Sequence, residues 1–207
     1  MIKVMLMSKG SITREHILNI AFTIASETGL ESLTIGVLAK ACGMSKSGLF
    51  SHFNSKENLQ VAVIEYAGEC FIERVIVPVR RKQHTDVSTR LQSLLQHWLD
   101  WNHSFQGSCM FMDAWKESNS NQDILQQTLR KQLHTWISYL EIQISKGQQS
   151  GLFRQDLVPK QAVFQFYGLY LSSHLFHSLE LENNERALFW QGVTQLYKQW
   201  QNTDTIN

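Results

Sequence analysis

Apolar residues recur along this chain at the spacing of α-helices. Ile17, Ala21 and Ile24 share one helical face and Gly29 follows them, so the pattern predicts a first helix over residues 13–28 that ends at a left-handed glycine. Strict alternation of apolar and polar residues, which would predict a strand, is nowhere sustained. The pattern therefore predicts an all-α protein.

Other segments with the same periodicity bring the expected total to about nine helices. Two short helices are predicted at about residues 35–42 and 45–52. A long helix is predicted from Ser55 to Val77, because Pro78 lacks the backbone donor that would continue it. The remaining helices are expected at about 89–104, 109–118, 122–149, 160–179 and 184–201.

Composition narrows the class of protein only a little. The 207 residues are 43% apolar and 18% charged, which is enough to bury a core in one or two domains. The net charge is +1, so bulk charge does not indicate a nucleic-acid partner. The three cysteines include no CxxC pair, which argues against a zinc finger or disulfide framework and favours a reducing, cytoplasmic setting. No apolar run reaches the roughly 20 residues of a membrane helix.

The two short helices and the turn between them have the features of a helix-turn-helix motif. Gly43 permits the positive φ of a tight turn, and Met44 supplies one apolar side chain to fill it. Residues 45–48 (SKSG) are small and polar, so the start of the second helix can approach phosphates and base edges. Leu49 and Phe53 are expected to anchor the inner side of that helix. The motif therefore predicts DNA binding.

Residues 34–59 (TIGVLAKACGMSKSGLFSHFNSKENL) resemble the DNA-binding region of TetR-family transcriptional regulators. Two positions depart from the family pattern: Gly36 stands where a polar residue is frequent, and Phe50 replaces the common tyrosine. The likeness is strong over about residues 11–60 and weaker beyond. The positions that match the family pattern are Ala39, Gly43, Ser45, Lys46, Phe50, His52, Phe53, Ser55, Lys56, Glu57 and Leu59.

The resemblance implies an architecture and a mechanism. Residues 1–10 would form a flexible arm, residues 11–58 a three-helix DNA-binding domain, and residues 59–207 a larger helical domain for ligand binding and dimerisation. The chain would bind a palindromic operator in double-stranded DNA as a homodimer. The third helix of each subunit would lie in the major groove of one half-site. A small apolar or aromatic effector would bind inside the larger domain and release the DNA, as in a repressor.

One set of residues is expected to contact DNA. Thr34 and Lys56 would anchor phosphates at helix starts, whereas the alternative is that Thr34, Ser45 and Ser55 act only as helix caps. Arg14 and Lys9 are further candidates for contacts with the flanking backbone. The predicted DNA-binding residues are Thr34, Ser45, Lys46, Ser47, Gly48, Phe50, Ser51, His52 and Lys56.

Aromatic and sulfur-containing residues concentrate in the middle helices. For any one of them core packing is the more common role, but several together are expected to line an apolar effector pocket. The predicted pocket residues are Trp98, Trp101, Phe105, Cys109, Met110, Trp115, Trp136, Tyr139, Phe166 and Tyr170.

The last two predicted helices are expected to form the dimer interface. Residues 162–179 are apolar nearly all round, so this helix needs a second buried surface, either a partner subunit or a central place in a monomeric bundle. The predicted interface residues are Phe164, Tyr167, Leu171, His174, Leu175, Phe189, Val193, Leu196, Tyr197 and Trp200.

Catalytic and metal chemistry find little support in the sequence. His174 and His177 have a metal-compatible spacing but no further ligand nearby, and Asp113 with Glu117 is better explained as a solvated helix face. No catalytic or nucleotide-binding motif is present, so we expect no enzyme activity, cofactor or metal. Two alternatives stay open. The DNA-binding protein could be switched by oxidation of Cys70 or Cys109, or the chain could be a helical enzyme with a DNA-binding-like head.

Overall fold

The computed structural model describes residues 9–82, 86–103, 110–117, 123–181 and 183–202, and these residues form helices with short connections. The first four are α1 (Lys9–Thr28), α2 (Ile35–Ala41), α3 (Lys46–Phe53) and α4 (Lys56–Phe71). A π-helical segment (Ile72–Ile76) leads into α5 (Val77–Arg81). The others are α6 (Val87–His103), α7 (Met110–Glu117), α8 (Ile124–Gln149), α9 (Pro159–Ser178) and α10 (Glu185–Trp200). The prediction of an all-α protein is confirmed.

The first helix begins earlier than the sequence pattern predicts. It starts at Lys9 rather than near residue 13, so residues 9 and 10 belong to α1 and not to a flexible arm. The rest of the predicted arm, residues 1–8, lies outside the described residues. The apolar face of α1 is buried as expected, with Ile17 and Ala21 almost inaccessible to solvent.

Pro78 does not end the long fourth helix, and this prediction is wrong. Helical structure continues through Pro78 to Arg81 because the turn before it widens into a π-helix, in which the Val77 N–H donates to the Ile72 carbonyl. A proline lacks the N–H of the α-helical bond and crowds the preceding turn, and a wider turn relieves both problems. The basic residues Arg80 and Arg81 therefore lie in the last turn of a helix.

The chain divides into two units. The N-terminal unit comprises residues 1–70 and 105–131, and the C-terminal unit comprises residues 71–104 and 132–207. The predicted domain boundary at residue 58 lies inside α4 and stays a prediction. Within the N-terminal unit α1 to α4 share a core built from Ile17, Ala21, Phe22, Leu38, Leu49, Phe53, Leu59 and Val63.

In the C-terminal unit, Phe153 ties the loop after α8 to the end of α10. Its fully buried ring lies edge-on to Tyr197 at 5.7 Å and to Trp200 at 5.9 Å between ring centroids. The Arg154 N–H donates to the Trp200 carbonyl at 2.9 Å, which fixes the same junction through the backbone. On α8, Gly147 presents its bare backbone to the Phe153 ring, where a Cβ atom would collide with the ring carbons. This junction therefore depends on a glycine facing an aromatic ring.

Tyr197 carries a polar group into this apolar junction. Its hydroxyl is buried and has no hydrogen-bond partner within the described part of the chain. Burial, together with the negative charge of Asp86, raises the pKa of the Tyr197 phenol far above its usual range. The phenol therefore stays neutral in the folded chain at a pH where an unfolded tyrosine ionises, near pH 10.

Replacement of this tyrosine gives a test with a defined pH dependence. Tyr197→Phe is expected to raise the free energy of unfolding by about 1 kcal/mol at pH 7, because an unpaired buried hydroxyl is removed. Above pH 10 the unfolded wild-type chain is stabilised by ionisation of Tyr197, whereas the buried phenol of the folded chain stays neutral. The free energy of unfolding of the wild type therefore falls by up to roughly 1.4 kcal/mol per pH unit. The variant has no phenol at this position and lacks this loss. Urea unfolding at pH 7 and pH 11 should show the advantage of the variant widening. A variant less stable than the wild type at both values would contradict this.

Candidate nucleic-acid interface

The turn between α2 and α3 has the geometry that the sequence predicts. Gly43 adopts a φ of +63°, a left-handed conformation that glycine reaches without strain. The Met44 N–H donates to the Ala39 carbonyl at 2.9 Å and closes the turn. At the start of α2 the Thr34 hydroxyl accepts from the Val37 N–H at 3.2 Å, so Thr34 caps that helix.

Helix α3 is capped at its start and anchored on its inner side. The Ser45 hydroxyl oxygen accepts from the Gly48 N–H at 3.0 Å and lies 3.2 Å from the Ser47 hydroxyl. Leu49 and Phe53 are buried, as predicted. Ser45 is thus a helix cap, a role compatible with a phosphate contact because both use the same helix terminus.

The outer side of α3 is exposed and combines polar and apolar groups. Lys46, Ser47 and Ser51 are exposed, and Phe50 keeps 49% of its surface accessible. We call these four residues the α3 face. His52 is half-buried beside the Phe53 ring, so it is less available than the sequence suggests. The structure therefore brings most of the predicted DNA-contacting residues of α3 to one surface.

Gly36, which departs from the family pattern, lies against the Lys46 side chain. A Cβ atom at Gly36 would lie 3.3 Å from Cε of Lys46 and 3.9 Å from the Thr34 hydroxyl oxygen. The missing side chain leaves space in which the Lys46 side chain lies beside the start of α2. This departure from the family pattern therefore places Lys46 near the first residues of both short helices.

Flanking cations are more constrained than the sequence predicts. The Lys56 ammonium forms an ion pair with Glu31 at 2.8 Å, so part of its charge is already compensated, and its role as a phosphate anchor stays a prediction. The Arg14 guanidinium lies over the Phe53 ring at 5.4 Å from the centroid. The Lys9 side chain lies outside the described part of the chain.

The state of the cysteines matters for the alternative in which oxidation of a thiol switches DNA binding. Partial burial raises the pKa of the Cys42 thiol, which disfavours the reactive thiolate. Cys70 is half-buried, and Cys109 lies outside the described residues. Switching by oxidation of Cys70 or Cys109 stays a prediction.

The predicted effector-pocket residues separate into several places. In the C-terminal unit Trp98 stacks on Tyr170 at 4.1 Å and meets Trp136 edge-on at 5.4 Å. Trp101 joins this aromatic cluster through Phe71, whose ring centroid lies 5.4 Å away. Phe71 is not one of the predicted pocket residues. Phe166 packs elsewhere, against Trp200 at 5.0 Å. These rings are packed against one another.

The remaining predicted pocket residues differ in exposure, and Tyr139 contacts the aromatic cluster. Trp115 is 62% exposed, and its role as a pocket residue stays a prediction. Tyr139 lies beside Trp136 at 6.1 Å and is only half-buried. Phe105 and Cys109 lie outside the described residues, as does the side chain of Met110.

The predicted dimer residues divide into an inward and an outward set, and the inward set is corrected. Phe189, Val193, Tyr197 and Trp200 face the core of their own unit, and His174 is buried there as well. These side chains offer no surface to a partner, because α10 uses its most apolar stripe to pack onto α9. Tyr167 and Leu196 are half-buried.

The outward set places three exposed apolar side chains along one face of α9. Phe164 is 72% exposed, Leu171 39% and Leu175 51%, and their spacing of 7 and 4 residues places them on one helical face. Leu179, Leu181 and Leu188 extend exposed apolar surface beyond the end of the helix. We call Phe164, Leu171 and Leu175 of α9, together with Leu179 directly after the helix, the α9 stripe. Leu179, Leu181 and Leu188 were not among the predicted interface residues.

Neither metal coordination nor membrane insertion gains support from the described residues. Within them, no three histidine, cysteine, aspartate or glutamate side chains are placed to hold an ion together. Nδ1 of His177 instead lies 3.4 Å from the Glu185 carboxylate. The side chains of Asp113 and Glu117 lie outside the described part. No described helix is both long and apolar enough to cross a bilayer.

The paired helices, the tight turn and the exposed leading turn of α3 define a helix-turn-helix DNA-binding protein. Two family models match the chain: the one described as bacterial regulatory proteins, tetR family, covers residues 17–63. The one described as the tetracyclin repressor-like C-terminal domain covers residues 88–193, about half of the chain. The chain belongs to the TetR family, whose members are transcriptional regulators and not enzymes.

Individual proteins are also similar to this chain. A nucleoid occlusion factor, SlmA from Marinobacter nauticus, is 31% identical over 148 residues, which are 71% of this chain and 72% of that protein. A TetR-family transcriptional regulator from Cytophaga hutchinsonii superposes with a TM-score of 0.81 at 20% identity, covering 94% of this chain and 98% of that one. AibR, solved with isovaleryl coenzyme A and operator DNA, gives a TM-score of 0.65 at 20% identity, covering 89% and 98%. The two structures establish a shared fold.

Proposed function

We propose that the chain is a homodimeric repressor that binds a palindromic operator through α3 and releases it when a small apolar or aromatic effector binds. The exposed α3 face carries this proposal. Lys46 supplies a positive charge that attracts phosphates. The hydroxyl groups of Ser47 and Ser51 and the accessible ring of Phe50 can reach base edges. The surrounding core fixes α3 through Leu49 and Phe53.

The α9 stripe supports the homodimer. Large apolar side chains that stay exposed on one helix face mark an interaction surface in most soluble proteins. A second copy of the chain offers the same stripe, so a two-fold axis pairs it with itself. Two copies then present two α3 helices to two half-sites, which is the reason for expecting a palindromic operator.

The aromatic cluster supports an apolar or aromatic effector. Trp98, Trp101 and Trp136 are buried in the C-terminal unit, and a ligand that separates such rings gains apolar contact area. AibR, which shares the fold, was solved with both an acyl thioester and operator DNA. The effector would act by binding one arrangement of the DNA-binding helices better than the other.

Lys46→Ala tests the DNA-binding part of this proposal. The probe is the duplex that wild-type protein selects from a random-sequence DNA library, titrated in gel shifts at several salt concentrations. Loss of one base or phosphate contact is expected to weaken binding by about 1–3 kcal/mol, roughly 5- to 150-fold, and to reduce the salt slope by about 1. Lys198→Ala removes another exposed positive charge, on α10, and serves as the control. Equal affinities of the wild type and Lys46→Ala would contradict the contact assignment.

The direction of regulation needs a separate experiment. The selected duplex is placed between a promoter and a reporter gene, and the chain is expressed from an inducible promoter. A repressor is expected to lower reporter output in the wild type and not in Lys46→Ala. An increase in reporter output would identify an activator and contradict the proposal.

A further inference from the structure

A cleft in the C-terminal unit has a lining that the proposed function does not use. It has a volume of about 350 Å³ and opens between α5, α6 and α8. This volume lies within the range of small-molecule sites, roughly 300–1,000 Å³. It is larger than a single ordered water or inorganic ion requires.

Three cations line this cleft: Arg80 from α5, Arg90 from α6 and Lys146 from α8. No carboxylate belongs to its described lining, and none of the three pairs with a carboxylate in the part of the chain that the structure describes. Three positive charges in one concave site raise the local potential and attract an anion. Two arginines also offer the planar forks that fit carboxylate and phosphate groups.

Gln143 provides a second and independent indication of a ligand. Its side chain is only 2% exposed, and its Oε1 atom has no hydrogen-bond partner among the described residues. A buried polar atom without a partner costs roughly 1–3 kcal/mol, so such groups are rare unless something else satisfies them. Tyr139, Gln143 and Lys146 occupy positions i, i+4 and i+7 of α8 and therefore share one face of this helix. Gln143 belongs to the lining of the same cleft as the cations.

Tyr139 holds Arg80 in place, and two further residues add apolar surface to the cleft. The Arg80 guanidinium stacks over the Tyr139 ring at 5.1 Å, and its Nε atom lies 3.5 Å from the Tyr139 hydroxyl. This stacking orients the arginine before any ligand arrives, which reduces the entropy cost of binding. Ile142 and Val79 complete an apolar wall. The site thus combines an anion-binding end with a surface for carbon atoms.

We propose that this cleft binds an organic anion, whose carboxylate or phosphate group contacts Arg80, Arg90 and Lys146. The apolar part of the anion lies against Ile142 and Val79, and a hydroxyl or amine of the ligand donates to Gln143 Oε1 once a change of rotamer turns this buried atom toward the cleft. A 180° rotation of the Gln143 amide would instead donate an N–H to the anion. The site adjoins the aromatic cluster, since Tyr139 lies 6.1 Å from Trp136, but binding of an anion there needs no DNA and can be tested apart from the proposed repressor function.

Calorimetric titration of the full chain at low ionic strength tests the site. The probes are citrate for carboxylates and adenosine 5′-monophosphate for phosphates, and adenosine is the uncharged control. At least one anion is expected to bind below millimolar concentration, and adenosine is expected not to bind. Arg90→Gln with Lys146→Gln is expected to weaken the binding by at least about 100-fold, since each lost charge-assisted contact accounts for about tenfold.

Two further variants separate the site from general charge effects and from misfolding. Lys160→Gln with Lys198→Gln removes the same charge from exposed positions elsewhere and is expected to leave binding unchanged. Ile142→Glu alters a half-exposed side chain, 51% accessible, and is expected to abolish binding through repulsion while the circular dichroism spectrum stays that of the wild type. Absence of binding by both anions, or equal binding by the wild type and the cleft variants, would overturn the proposal.

Discussion

A chain that carries Leu171→Glu and Leu175→Glu is expected to be a folded monomer with at least about 100-fold weaker binding to the selected duplex. Both side chains are exposed on the α9 stripe, so the substitutions leave the core of the unit intact. In a self-paired interface each glutamate would be buried against apolar surface and close to its symmetry copy, which is costly without a counter-charge. A monomer engages one half-site and loses the avidity of two linked sites, typically a factor of 10²–10⁴.

Sedimentation equilibrium, circular dichroism and gel shifts measure the three parts of this prediction: mass, fold and affinity. The control carries Gln92→Glu and Gln149→Glu, which add the same charge at exposed positions on α6 and α8. It should stay dimeric and keep its affinity for the duplex. If the double α9 variant sediments as a dimer, the α9 stripe is not the interface and the homodimer requires another surface.

Local sequence signals predict the DNA-binding surface well because the motif is short and self-contained. A glycine at the turn, a serine cap and two inward apolar residues act within about ten residues of one another. The ion pair between Lys56 and Glu31 could not be predicted in this way, since its members lie on different segments. The accommodation of Lys46 above Gly36 is likewise a contact between two helices and not a property of either one.

The dimer residues show where periodicity stops being informative. Helix α9 is apolar on more than one side, so its pattern predicts burial without saying which side the same chain covers. The structure buries Phe166 and Tyr170 and leaves Phe164 and Leu171 exposed. Pro78 is a similar case, because the local rule for proline predicts that the helix ends there. Val75 before Pro78 and Val79 after it are both buried. Breaking the helix would cost this burial, and a wider turn costs less.

Gly147→Ala and Phe153→Ala are each expected to destabilise the chain, and together they should destabilise it less than Phe153→Ala alone. The added methyl of Gly147→Ala collides with the Phe153 ring, and overpacking of this kind costs about 1–3 kcal/mol. Phe153→Ala removes a fully buried ring and should cost about 3–5 kcal/mol. In the double variant the methyl projects into the space that the ring has left. A substitution that is harmful alone therefore becomes neutral or favourable.

Urea unfolding of the four chains at one fixed protein concentration measures this coupling, because dimerisation makes the apparent stability depend on concentration. Leu91→Ala combined with Gly147→Ala is the control, since Leu91 is a buried residue of α6 outside the junction of Phe153, Tyr197 and Trp200. Those two effects should add. If the costs of Gly147→Ala and Phe153→Ala also add, the glycine does not serve to admit the ring. The bare backbone of α8 would then have to be explained by some contact other than Phe153.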